Sequence, residues 1–328
     1  MRRWLEGMRR KSALGWAFAT TLELTLEAVA AVSVLAASLL LVYFPYSRDM
    51  PPSPAETDKT RSFYATVYDR PDAAQTRPED AVSKGYEAYA RWEIRNYRVK
   101  ETVGAFVQRF HLQTAKALDV GSGSGYLQDV VEDYTGLDIS TSARRFYHKP
   151  FVAGSATAMP FSDNTFDTIW TIWVLEHVPN PEQALREIRR VAKDGGLLFL
   201  APAWDVPSWA AQGYDYRPYS DFGAAGRLVK ASLPVRRSFQ EMAKTIVWPV
   251  RLSSWELTGG PTSFRYRRLE PNYATYPGPD ADAVNSLDRN ETALWFASRG
   301  DECLNCASIH SVPDDRLADL IIRVHKGS

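Results

Sequence analysis

This sequence predicts an α/β protein built on a doubly wound, mostly parallel sheet, and three observations carry the prediction. Residues 117–140 read ALDVGSGSGYLQDVVEDYTGLDIS, an apolar strand that runs into a turn with alternate glycines and then into a second short strand. Residues 166–174, FDTIWTIWV, are apolar on both faces, as a central strand covered by helices on both sides must be. After them an amphipathic helical pattern leads into the apolar run LLFLA at 197–201. Strands and helices that alternate in this way stack into a parallel layered sheet.

The first element to justify is the turn. Gly121, Gly123 and Gly125 allow backbone conformations closed to residues with a Cβ, and they leave the main chain bare for a ligand to lie across. A carboxylate at the end of the second strand of such a sheet accepts hydrogen bonds from ribose hydroxyls, and Asp138 stands there. The dinucleotide fingerprint G-x-G-x-x-G needs a third glycine where this chain has Tyr126, so the pattern G-x-G-x-G favours an adenosyl group over a dinucleotide.

The later elements follow from local signals. Asn180 offers an N-cap, Pro181 suits the first helical position and Gln183 completes a capping-box-like pattern. Leu185, Ile188, Val191 and Ala192 recur at helical spacing, and Gly195 and Gly196 are expected to stop that helix before the strand at 197–201. Upstream, 79–110 is helical in pattern, with Val103, Phe106, Val107 and Phe110 forming an apolar stripe of the kind that enters a core. Near the C-terminus, 291–298 reads as a helix ended by Gly300, and 320–325 (LIIRVH) as a strand.

Four motifs in order carry a family resemblance: DVGSGSG from Asp119, AMPFSDNTFD at 158–167, LEHV from Leu175, and PEQALREIRRVAKDGG ending at Gly196. Over residues 116–201 the chain resembles the class I S-adenosylmethionine-dependent methyltransferases, most of all the subgroup of quinone and other small-molecule methyltransferases. The resemblance implies a Rossmann-like core whose C-terminal tail returns to the sheet with an antiparallel edge. It also implies S-adenosyl-L-methionine as cofactor, held by Asp119, Gly121, Ser122, Gly123, Gly125, Asp138 and Ile139, with Ser155 and Ala156 against the adenine. Many relatives carry an acidic residue where this chain has Ser155, and a hydroxyl accepts a hydrogen bond more weakly than an ionised carboxylate. If the methyl acceptor is a hydroxyl, a base is needed, and His177 is the candidate by position and intrinsic pKa; Glu176 and Tyr214 are weaker ones. No metal site is read from the sequence.

Composition sets the outer limits. The 39 basic residues balance 39 acidic ones, which gives no whole-chain attraction to nucleic acid. Cys303 and Cys306 form a lone C-x-x-C without the further ligands of a zinc site or the strand-to-helix context of a redox pair, so ordinary thiols are expected.

The N-terminus is a different kind of chain. Residues 28–44 carry no charge and would extend about 26 Å as a helix at roughly 1.5 Å per residue, slightly short of a bilayer core. We read 28–44 as a membrane anchor, single-pass or interfacial. Arg2, Arg3, Arg9, Arg10 and Lys11 ahead of it predict an inside N-terminus. The methyl donor is cytosolic, however, and a domain that uses it is expected to face the cytoplasm.

The stretch 204–285, inserted after the strand ending at Ala201, interleaves aromatics such as Trp209, Tyr216, Trp248 and Tyr266 with arginines including Arg217, Arg237, Arg251 and Arg268. Its place over the carboxyl edge of the sheet makes it the expected substrate cap. The domain expectation is therefore a basic segment and anchor over 1–46, a proline-rich extended linker over 47–62, helices over 63–115, a core over 116–203 and 286–328, and the cap over 204–285. The functional expectation is a membrane-anchored methyltransferase for a small or lipophilic acceptor at oxygen or carbon; the alternative is a non-catalytic membrane-tethered scaffold of the same fold.

Overall fold

The computed structural model of the protein describes residues 13–43, 52–66, 93–273, 278–306 and 319–327. The basic residues before position 13, Tyr46, and the first part of the helical pattern at 79–92 lie outside the described residues. The strands are β1 (Lys116–Val120), β2 (Asp133–Asp138), β3 (Phe151–Ala153), β4 (Phe166–Ile172), β5 (Ala192–Ala201), β6 (Arg267–Arg268), β7 (Asn285–Ser286), β8 (Glu302–Cys303) and β9 (Leu320–Arg323). The helices are α1 (Ala13–Tyr43), α2 (Pro54–Thr66), α3 (Val99–Arg109), α4 (Pro181–Val191), α5 (Ala224–Ala231), α6 (Leu233–Thr258) and α7 (Arg289–Ala297).

Seven strands form one sheet in the order β3-β2-β1-β4-β5-β9-β8. The ladders from β3 through β5 are parallel, while β9 runs antiparallel to β5 and β8 antiparallel to β9. The winding reverses between β1 and β4, the position where such sheets open a crevice at their carboxyl ends. The α/β, doubly wound architecture and its antiparallel edge thus stand as the sequence predicts.

Period-two alternation divides the core between the two faces of the sheet. Leu118 and Val120, Ile169, Leu198 and Leu200, and Leu320 and Ile322 point to one side, where Leu185 and Ile188 of α4 and Trp295 and Phe296 of α7 cover them. Ala117, Trp170, Leu197 and Phe199, and Ile321 point to the other, under Val103, Phe106 and Val107 of α3. The apolar stripe of α3 is therefore core.

Local signals hold at the starts of α4 and α7. Asn180 Oδ1 accepts from Gln183 N at 3.2 Å with Pro181 at the helix start, and Asp288 caps α7 by accepting from Glu291 N. One stop signal is misplaced: α4 ends at Val191, before Gly195 and Gly196, which lie inside β5 where its register against β4 slips. Lys193 and Asp167 pair at 2.7 Å across that irregularity, so the chain is already in strand when it reaches the glycines.

Two further expectations are corrected. Residues 54–62, expected as extended tether, instead form the first part of α2, nucleated by a capping box in which Ser53 N donates to Glu56 Oε2 (2.7 Å) and Glu56 N to Ser53 Oγ (3.2 Å), with Pro54 in the first turn. Cys303 and Cys306 are not free thiols but a disulfide, because the turn after β8 returns the chain until the two Cα atoms are 5.5 Å apart.

α1 is longer than the expected anchor, starting at Ala13, and within it Ala13–Leu39 is long and apolar enough to cross a membrane. Two of its polar side chains bond back to their own helix: Thr25 Oγ1 donates to Thr21 O and Ser38 Oγ to Val34 O. α1 packs against α6.

Candidate active site

The loops that follow β1 to β5 converge on one cavity of about 920 Å³. Its cofactor-type wall grows from the turn after β1. Gly121 has φ +73°, and a Cβ there would lie 2.2 Å from Val174 Cγ2, so no other residue fits. Gly121 N and Ser122 N donate to Leu137 O, which pins the turn to the next strand. Asp138 then closes the arrangement: Oδ2 accepts from Gly123 N and Oδ1 from Ser140 N, both at 2.8 Å. Burial pushes the Asp138 pKa up against the pull of these backbone donors. The carboxylate faces the turn, and it lines the cavity.

Of the residues expected to hold the cofactor, Gly121, Ser122, Gly123, Asp138, Ile139, Ser155 and Ala156 line the cavity, and so does His177. Asp119 and Gly125 lie outside its wall. Asp119 is buried beneath the turn, where Oδ2 accepts from the Tyr134 hydroxyl at 2.8 Å; burial raises its pKa to about 7, and the Tyr134 bond only partly opposes this. Gly125 makes room for Tyr147, whose ring a Cβ would meet at 2.8 Å and whose hydroxyl donates to Gly123 O. Both positions support the turn from below. The Ser155 hydroxyl is engaged with Thr157, 2.9 Å from its Oγ1 and accepting from its backbone N.

The opposite wall is aromatic and acidic. Trp204, Val206, Trp209, Tyr216 and Tyr266 of the inserted region line it. Trp173, just past β4, adopts a left-handed φ of 52°, a strained choice for a bulky side chain, and also faces the cavity. The arginines of the insertion are mostly engaged elsewhere: Arg251 pairs with Glu291 (2.9 Å), Arg217 with Asp221 (3.4 Å), and Arg268 donates to Asn285 Oδ1 (3.0 Å). Arg237 reaches the cavity, already paired to Asp215 at 2.5 Å. Tyr214 packs on Phe222 and does not line the cavity.

Between the two walls stands a cluster that sequence reasoning found only in part. The short turn Leu175–His177 presents Glu176 and His177. The Tyr64 hydroxyl of α2 donates to Asp282 Oδ2 at 2.6 Å and lies 2.7 Å from His177 Nδ1. His177 Nε2 is 3.8 Å from Glu176 Oε1. Burial opposes charge on His177, but Asp282, Glu176 and Asp280 together hold its pKa above the ordinary value. Burial also pushes Glu176 and Asp280 up to about 7, an effect that His177 opposes only in part. The sequence signal missed was the D-x-D pair Asp280 and Asp282 inside the cap, together with Tyr64 at the start of the segment read as helices over 63–115.

Residues 118–200 match the family model described as a methyltransferase domain. The chain is 28% identical over 232 residues to a demethylmenaquinone methyltransferase of Renibacterium salmoninarum, an alignment covering 66% of this chain and 91% of that protein. It is 31% identical over 169 residues to a demethylmenaquinone methyltransferase of Paenarthrobacter aurescens, covering 47% and 65% respectively. A solved putative methyltransferase from Bacillus halodurans aligns with a TM-score of 0.31 at 24% identity, over 34% of this chain and 59% of that one. Residues 118–200 are a methyltransferase domain of the class I S-adenosylmethionine-dependent type. These matches make the chain a methyltransferase, and among its relatives it is similar to quinone methyltransferases.

Proposed function

We propose that the protein methylates a lipophilic, hydroxyl-bearing ring such as a reduced demethylmenaquinone, which it takes from a membrane. One observation carries this reading: a single cavity joins a bare main-chain wall, with Asp138 on it, to an aromatic wall of Trp173, Trp204, Trp209 and Tyr216. Its volume of about 920 Å³ lies near the top of the range of roughly 300–1,000 Å³ for small-molecule sites, which leaves room for a nucleoside and an acceptor together.

The residues present fit S-adenosylmethionine. Asp138 and the main chain of 121–123 would hold the ribose and the methionine part, and residues 154–157 the adenine. When bound, the cofactor supplies a methyl group on a good sulfonium leaving group. The protein's work is alignment and exclusion of water, for which the aromatic wall is suited. An acceptor hydroxyl gives up its proton at the Glu176–His177–Asp280 cluster, with His177 the base. The methylated atom is oxygen, or a ring carbon activated by that oxygen.

Membrane association is supported by exposed apolar surface on both partners of the α1–α6 pair. Leu24, Val32 and Leu35 on α1, and Met242, Ile246, Val247 and Val250 on α6, face outward. We assign the catalytic domain to the cytoplasmic side, where the donor is made. Label transfer from methyl-labelled S-adenosylmethionine to reduced demethylmenaquinone, by full-length protein in detergent, tests the reading. Label should enter the lipid phase; donor binding with no transfer to this quinol would sink the assigned acceptor.

A further inference from the structure

We propose that Glu176, His177 and Asp280 bind one divalent cation, which holds the acceptor's hydroxyl oxygen against the cavity wall. This rests on the methyltransferase reading and adds the means of gripping the acceptor. One ligand atom from each of the three side chains lies within 4.8 Å of the others. They come from two distant segments, the turn after β4 and the loop before β7, joined where Val284 N donates to Glu176 O at 2.9 Å. His177 and Asp280 face the cavity, so a cation held there is open to acceptor on one side.

Unmet hydrogen-bonding capacity points to a ligand. Glu176 is fully buried, and its Oε2 has no hydrogen-bond partner; the same is true of Asp282 Oδ1 just behind. Burying a carboxylate oxygen without a donor is costly, and a cation removes that cost. The tautomer of His177 is also set correctly. The single Tyr64 hydroxyl proton goes to Asp282, so the tyrosine oxygen accepts from Nδ1–H, and in the neutral imidazole the lone pair is on Nε2, on the side of Glu176, where a cation can displace the second proton. A histidine anchored through its far nitrogen to a hydroxyl and carboxylate is the usual support for a metal ligand. Two carboxylates and an imidazole suit Mg²⁺, Mn²⁺ or Zn²⁺ rather than a soft metal. Coordination lowers the pKa of the acceptor hydroxyl, whose proton then leaves to water, so with the cation bound His177 serves as ligand and not as base.

Chelator-treated full-length protein in detergent is titrated with Mn²⁺ and followed by the loss of the free-ion paramagnetic resonance signal. One equivalent should bind, Glu176→Gln and Asp280→Asn should each weaken it by at least about tenfold, and Tyr64→Phe, which removes no ligand, by a smaller factor. Variants are compared at retained S-adenosylmethionine affinity, measured by calorimetry. No Mn²⁺ binding at micromolar concentrations, or equal binding in wild type and both ligand variants, overturns the cation site. If donor binding persists while Mn²⁺ fails, only this site is lost; if wild-type protein binds neither, the methyl-donor reading falls too.

Discussion

The two walls of the cavity are made by different means. The cofactor-type wall is main chain, held by contacts between residues close in sequence: Gly123 N reaches Asp138 across 15 positions and Ser140 N reaches it across two. The aromatic and acidic wall is side chain, and it is assembled from afar: Tyr64 meets His177 across 113 positions and Asp282 across 218. A backbone cradle tolerates change around it but not within it. A side-chain cluster fails one hydrogen bond at a time.

The largest expected effect lies beneath the cradle. Burial raises Asp119 to about 7 in the folded protein, against roughly 3.9 in an unfolded chain. A carboxyl with a raised folded-state pKa gives its full contribution below the unfolded value and loses it as pH climbs through the folded one. Stability should therefore fall between about pH 4 and 7 by up to about 4 kcal/mol from this group. Asp119→Asn should flatten that slope, seen as denaturation midpoints that gain on wild type as pH rises to 8. Parallel curves for the two proteins would show that the acid is compensated after all.

Gly121→Ala tests the cradle itself. The left-handed backbone and the overlap with Val174 together cost about 3 kcal/mol, so donor affinity should fall about a hundredfold by calorimetry. An unchanged affinity would mean that the donor does not lie on this turn.

On the aromatic and acidic wall, where we propose the acceptor binds, Tyr64→Phe strips Asp282 and His177 of a shared partner. We expect turnover to drop roughly tenfold, in line with about 1.5 kcal/mol for a hydrogen bond to a charged group, with donor affinity unchanged. A parallel loss of donor binding would erase the proposed division between the walls.

The smallest effect concerns how acceptor arrives. Ile246→Ser with Val250→Ser on α6 removes exposed apolar side chains worth about 1.5–3 kcal/mol each at most when buried. Turnover of vesicle-borne quinol should fall a few-fold, while turnover of a short-chain soluble analogue stays the same. Equal losses on both would argue against α6 as a membrane contact.

Local chemistry made much of this molecule legible. The glycine turn, the acid ending β2, the cap at Asn180 and the two-sided strand β4 were readable because each depends on a residue and its near neighbours. Signals of the same kind misled where a second local rule competed. The prolines before 54 read as an extended tether, yet Ser53 and Glu56 close a capping box and start α2. Gly195 and Gly196 read as a helix stop, yet pairing with β4 had already drawn the chain into strand.

From sequence alone came the sheet class, the adenosyl-type half-site and His177 as a candidate, because short-range sterics and periodicity suffice for each. Tertiary structure alone decided that Asp119 and Gly125 lie under the cavity rather than in it, that Cys303 and Cys306 join, and that Tyr64, Asp280 and Asp282 surround His177. Side chains brought together across a hundred or more residues leave no periodic trace in the chain, since what they share is a place in the fold.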